Sequence, residues 1–348
     1  MFQLPPAPLR LRLDSAALIA NWRWLAARSG AARCGAAVKA DGYGLGAAGV
    51  VERLAAAGCR DFFVATWGEA VQIADAAAGL SVAVLHGVRE EDMPTALAMP
   101  ARPVLATPEQ VRRWRDAGGG ACDVMVDTGM NRLGVAAADV AAGLLDGLAI
   151  DTLMSHLACA DEDVPLNAAQ RSAFAALAGR TGAKRLSLAN SAGICLGADY
   201  AFDLTRPGLA LYGGLPRAEA TGGIRQVVTP EAQILQRRRI GPGDPVGYNS
   251  TFVADRPMEL AVVNLGYADG YLRGFSGTGA ARAGDAVLPV TGRVSMDLTT
   301  FCVDAAPRLA EGDWVAIDFD LPGAAAQSGQ SQYELLTMLG RRYQRLWG

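Results

Sequence analysis

The sequence predicts an α/β chain, a (β/α)8 barrel of TIM type followed by a mostly β C-terminal domain. Three observations carry this prediction. The chain has 348 residues, enough for two domains of about 100–200 residues each. From about residue 10 to 215, short apolar runs of β-forming residues alternate with Ala-rich segments of helical length and pattern. Beyond about residue 222 the alanine helices stop, and Gly, Pro and β-formers take over.

Candidate strands fall at 35–39, 62–66, 81–85, 102–106, 122–127, 151–156, 186–190 and 202–205, with helical segments such as 67–79 and 108–117 between them. Eight β–α units in roughly 200 residues is the arithmetic of a closed barrel, and a doubly wound open sheet is the competing arrangement. The predicted boundaries are 10–222 for the barrel and 223–348, with 1–9, for the β-rich domain. YELLTMLGRRYQRL near the end reads as a short terminal helix and tail.

Composition narrows the function classes. With 51% hydrophobic and 19% charged residues the chain can bury a large core. Its 32 basic and 35 acidic residues are dispersed, with no basic run suited to a row of phosphates, so nucleic acid is not an expected partner. Cys34, Cys59, Cys122, Cys159, Cys195 and Cys302 are scattered, without disulfide or metal-ligand spacing, and reduced thiols are expected. Arg10, Arg12 and Asp14 interrupt the N-terminus before a signal-peptide core forms, and no stretch reaches the roughly 18 apolar residues of a membrane span. A cytoplasmic protein without membrane or metal partners is expected.

In AVKADGYG, Lys39 ends an apolar run and meets a Gly-rich turn. The C-terminal strand ends of a parallel barrel face the active site, and an apolar pocket there favours the neutral amine that a nucleophile needs. Lysine is also the side chain that forms Schiff bases with an aldehyde cofactor. A surface lysine snorkelling from a strand end satisfies the same position, which alone does not separate the two readings.

AVKADGYG resembles the cofactor-lysine signature of the alanine racemase family. Seven further blocks resemble that family in the same order: VDTGMNRLG (126–134), MSHLACADE (154–162), LANSAG (188–193), LTRPGLALYG (204–213), GYADGYLR (266–273), GRVSMD (292–297) and YELL (333–336). The resemblance implies pyridoxal 5'-phosphate on Lys39, with Tyr43, Ser191, Gly208, Leu209 and Tyr333 around the phosphate, His156 against the ring and Asn190 also among the cofactor-binding residues. Arg206 corresponds to the arginine that hydrogen-bonds the pyridine nitrogen; a charged donor there keeps that nitrogen unprotonated and weakens the ring as an electron sink.

Racemisation removes a proton from one face of Cα and returns it on the other, so two bases are the simpler design. Lys39 is one. Tyr267 resembles the family's opposite-face base, which enters the active site of the partner subunit of a homodimer, as does the residue matching Met296. Arg132 resembles the arginine that holds the substrate carboxylate, and Asp161 and Arg293 resemble residues of the entrance corridor. Of the other candidates, Tyr271 fits a core tyrosine and His86 a bland structural histidine. The activity implied is interconversion of L- and D-alanine, a step toward a peptidoglycan precursor. Alternatives are a racemase of the same fold with another amino acid, a non-catalytic cofactor-binding protein and a decarboxylase; GYADGY and VSMD argue against the last.

Two positions depart from the family pattern. Leu45 stands where many members have histidine, outside the expected cofactor contacts. Met125 stands where many carry a lysine, often carbamylated, that orients the substrate-binding arginine. A thioether cannot be carbamylated or ionise, so Arg132 loses that partner.

Overall fold

The computed structural model describes residues 5–348. It divides into two compact units, Leu18–Arg225 and a second comprising the described residues up to Ala17 together with Gln226–Gly348. Residues 1–4, assigned to the β-rich domain on sequence grounds, lie outside the described residues.

In the first unit, the strands Ala36–Ala37, Asp61–Val64, Ser81–Val84, Arg102–Leu105, Cys122–Met125, Ile150–Met154 and Arg185–Ser187 pair in parallel, each with the next in sequence. The eighth strand, Leu204–Thr205, closes the circle. It pairs in parallel with Arg33–Cys34, just ahead of the first strand, and Arg206 N donates to Ala189 O (2.9 Å) while Ala37 N donates to Pro207 O (2.8 Å). A doubly wound sheet would reverse its strand order midway; this one does not, and the barrel prediction holds.

The helices between strands carry start signals that the sequence encodes. Thr66 and Glu69 form a capping box at Trp67–Gln72, and Thr107 caps Pro108–Asp116 by accepting from Gln110 N. The first is shorter than the expected 67–79, because from Ile73 the chain passes into turns up to Gly79, which has φ +73°. The first seven strands also stop short of their predicted ends, while the eighth ends at Thr205 as expected. Lys39 is therefore not a strand residue: it lies two positions past Ala37 and opens a tight turn. At the barrel's other end, Arg102, Asp123, Asp151, Arg185 and Asp61 form a chain of ion pairs 2.6–3.3 Å long near the strand starts. In such barrels that end serves stability rather than chemistry.

The second unit is mostly β, as expected. Its spine is the 13-residue strand Val228–Ile240, which pairs antiparallel with Leu9–Leu13, Trp314–Ile317 and, beyond a register shift between Ile234 and Gln236, Met258–Val263. Thr299–Cys302 extends this second pairing. The expected terminal helix is confined to Gln332–Thr337; the tail beyond it is instead a strand, Gln344–Trp347, parallel to Leu9–Leu13. Arg345 and Trp347 are half-buried and Gln344 and Leu346 exposed, so the residues QRLW carry no apolar–polar alternation that would mark a strand. No described helix is long and apolar enough to cross a membrane.

Candidate active site

The turn after the first barrel strand is unusual backbone. Ala40, Asp41, Gly42 and Tyr43 have φ of 53°, 53°, 63° and 55°. Three are not glycine, and such residues in the left-handed region cost about 1–2 kcal/mol each, so the surroundings must enforce the turn. They do so through carboxylates. Glu69 accepts from Ala40 N (2.7 Å) and Ala65 N (2.6 Å), and Asp41 accepts from Ala47 N (2.8 Å). Lys39 is thereby held at the mouth of the barrel. Burial and the Arg132 charge lower its pKa, with Glu69 acting in the opposite sense.

Tyr43 is buried and stacks on Tyr212, with ring centroids 4.6 Å apart; the Tyr212 hydroxyl donates to Ala37 O (2.7 Å). The Tyr43 hydroxyl occupies the space left open at Gly208, where a Cβ would lie 2.2 Å from it. Ser191 Oγ, opening the short helix Ser191–Cys195, accepts from Gly208 N (2.9 Å) and Ala210 N (3.3 Å). Asn190 caps that helix, accepting from Gly193 N (2.8 Å), and Leu209 begins the next 3₁₀ turn. A side-chain-free glycine, converging backbone N–H groups and two hydroxyls have the chemistry of a phosphate cradle.

Arg206, one residue past the eighth strand, is buried. Its Nη1 donates to Ser187 Oγ and its Nη2 to Ser155 O (2.6 Å) and, more weakly, to Leu188 O (3.5 Å). Its Nε has no hydrogen-bond partner among the described residues. Burial pushes the guanidinium down to about 10, with Asp123 opposing, so it stays charged at neutral pH. His156 is pushed down to about 3 by burial and by the charges of Arg206, Arg132 and Lys39, and its imidazole is neutral. One donor of the buried Arg206 guanidinium is thus left over, beside a neutral imidazole and a lysine biased toward its free amine. That set fits a phosphorylated pyridine aldehyde: Lys39 for the aldehyde, Arg206 Nε for the ring nitrogen, Tyr43, Ser191 and Gly208 for the phosphate.

Arg132 is exposed on the loop 127–135 and makes no ion pair among the described residues. The loop itself is well tied. Asp127 accepts from Gly129 N (2.8 Å) and Met130 N (2.9 Å), and Val135 N donates to Met125 O (2.9 Å). Met125 is buried beside Met154, so no ionic partner for Arg132 comes from there. Asp161 and His86 are exposed, and Leu45 is fully buried core.

The β unit carries Tyr267, Met296 and Tyr333. Tyr267 opens a 3₁₀ turn whose backbone is laced to the neighbouring loop: Tyr267 N donates to Ser295 O and Ala268 N to Met296 O, both at 3.0 Å. Arg342 clamps this pair of loops, donating to both oxygens of Asp269 (2.6 and 2.8 Å) and to Asp297 (2.8 Å). Asp269 is fully buried and accepts from Gly266 N (3.1 Å). Met296 and Tyr333 are about half exposed, as is the Arg342 side chain, and Arg293 is exposed. Tyr271 is buried and stacked on Phe275 (4.4 Å), the core tyrosine expected.

Several contributors were not singled out from sequence. Glu69 was findable, since Thr66-x-x-Glu69 is a capping-box spacing. Ser155, Ser187 and Arg342 carry no local signal.

A closed parallel barrel followed by a β-rich unit, with Lys39, His156 and Arg206 gathered just past the strand ends, defines a barrel-plus-β enzyme built around a strand-end lysine. The chain belongs to the alanine racemase family: the profile of the alanine racemase N-terminal domain matches residues 13–216, and that of the C-terminal domain residues 227–347. It is 44% identical to an alanine racemase of Acidiphilium cryptum, covering 97% of this chain and 98% of that one, and 43% identical to one of Rhodospirillum rubrum, covering 97% and 95%. Among solved structures it resembles the alanine racemase of Bartonella henselae with covalently bound pyridoxal phosphate, with a TM-score of 0.90 and 33% identity over 99% of this chain and 100% of that one.

Proposed function

We propose that this chain interconverts L- and D-alanine in the cytoplasm, with pyridoxal 5'-phosphate held in the barrel unit, Leu18–Arg225, and proton transfer shared between two bases. The observation that carries the reading is the buried Arg206, its Nε unpartnered, beside Lys39 and the Tyr43–Gly208 cradle. When bound, the cofactor supplies an aldehyde that condenses with amines and a ring that stabilises negative charge at the substrate Cα.

The protein's residues do the rest. Lys39 holds the aldehyde at rest and, once released, carries a proton on one face of Cα; its lowered pKa suits both tasks. Arg206 Nε donates to the pyridine nitrogen and, staying charged to about pH 10, disfavours a proton there. Tyr43, Ser191, Gly208, Leu209 and Tyr333 hold the phosphate, Asn190 supports the cofactor site by capping the helix that Ser191 opens, and neutral His156 lies against the ring. Arg132 takes the substrate carboxylate.

Tyr267, from the partner subunit of a homodimer, is the base on the opposite face, and Met296 of the same loop pair borders the substrate. A second reading, a racemase of broader amino-acid range, is favoured by one feature: Arg132 makes no ion pair among the described residues. The test is circular dichroism of L-alanine with purified, cofactor-loaded protein, followed by a panel of other amino acids. Decay of the signal with alanine is expected; faster decay with another amino acid selects the second reading, and binding of pyridoxal phosphate without any racemisation refutes both.

A further inference from the structure

The helix Pro165–Ala175 has no part in the chemistry above, yet Gln170 on it is completely buried with its amide fully engaged. Its Oε1 accepts from Ala158 N (2.9 Å); its Nε2 donates to His156 O (2.9 Å) and, more weakly, to Thr128 Oγ1 (3.4 Å). Thr128 shares a 2.7 Å hydrogen bond with Ser155, the residue whose carbonyl accepts from Arg206. One turn earlier on the helix, buried Asn167 donates to Cys159 O (3.1 Å) and Glu162 O (2.8 Å). Gly129 lies against the Gln170 stem, so the 127–135 loop rests on this amide.

A buried amide is retained when its hydrogen bonds hold something in place, because leaving backbone groups unmet is costlier than replacing the whole set by apolar atoms. Here it joins two loops, the one bearing Arg132 and the one bearing His156. Arg132 makes no ion pair among the described residues and Met125 offers it no charge, so its orientation depends on the loop that carries it. We propose that Gln170, acting through Thr128, is a positioning residue that fixes the Arg132 loop for the substrate carboxylate. This rests on the assignment of Arg132 and of alanine racemisation made above.

The test uses the purified holoenzyme. Gln170→Leu keeps the packing volume and removes the hydrogen bonds. Its KM for alanine is expected to rise about tenfold, part of the cost of removing its three hydrogen bonds, while kcat changes little and cofactor absorbance stays. Hydrogen exchange of the 127–135 amides is expected to quicken while the strands Asp61–Val64 and Ser81–Val84 stay protected.

Thr128→Val repeats the KM effect more weakly, and Thr128→Ser restores it. A cofactor-loaded Gln170→Leu with wild-type KM and wild-type loop exchange overturns the proposal, and so does exchange quickened across the whole barrel. If Gln170→Leu does not fold, Thr128→Val decides by the same criteria. If the wild type racemises no alanine, the proposed function fails, while loop exchange still reports whether Gln170 holds the loop.

Discussion

The two units present their candidate residues by different physics. In the barrel, Lys39, His156 and Arg206 follow parallel strands by one or two residues, so strand register places them at one end of the same cylinder. Neighbouring groups then hold each one: half-buried Glu69 beneath the Lys39 turn, and buried Gln170 behind His156 and Ser155 and Ser187 around Arg206. In the β unit, Tyr267 and Met296 stand on two loops laced by backbone hydrogen bonds and clamped by one half-exposed arginine. A barrel side chain is thus fixed by topology plus a buried second layer. A β-loop side chain is fixed by one local clamp, and its position is the more easily lost.

The comparison breaks most sharply at the two proposed bases. Lys39→Ala removes the barrel's anchor for the aldehyde, and the visible absorbance of bound cofactor is expected to disappear with activity. Tyr267→Phe leaves the barrel untouched: absorbance stays, and turnover falls about 10²–10⁴-fold, the usual worth of a general base. Racemisation at wild-type rate in Tyr267→Phe would remove the opposite-face base from the scheme.

A smaller effect tests the clamp. Arg342→Ala leaves Asp269 buried without its cation. Because Arg342 itself is half exposed, the expected cost is about 2–3 kcal/mol rather than the larger figure for a fully buried pair. Burial already pushes the Asp269 carboxyl up against the opposing pull of Arg342, so the variant relieves itself partly by protonation. Thermal denaturation is expected to shift down by several degrees, and kcat to fall with cofactor absorbance intact. Unchanged kcat in a destabilised protein would make Arg342 a fold residue with no hold on Tyr267.

What the residues alone disclosed follows the same division. The barrel was legible because β–α alternation and strand-end chemistry obey general rules; those rules made Lys39 a candidate, but a snorkelling surface lysine fitted the position equally until the family blocks decided between them. Tyr267 and Met296 were not candidates at all on such rules, since no rule says which loop of a β domain bears chemistry; only the family blocks marked them. Gln170 escaped because a glutamine on an amphipathic helix reads as surface, and its value depends on backbone groups about 12 and 14 residues away. The left-handed turn at Ala40–Tyr43 escaped too. Three of its four residues are not glycine, and the carboxylates that enforce it come partly from another β–α unit.

The smallest expected effect is none at all, and it bears on Met125. A lysine at that position would be a desolvated amine with lowered pKa, the neutral form that adds carbon dioxide. Met125 is buried next to Met154 and cannot take up carbon dioxide, so bicarbonate is expected to leave kcat/KM of the wild type unchanged. Met125→Lys is expected to make activity bicarbonate-dependent. That pair of results would mark the barrel's own hydrogen-bonded scaffold as the substitute for an ionic partner of Arg132. Clear activation of the wild type by bicarbonate would instead mean that an anion reaches Arg132 and does the orienting assigned here to its loop.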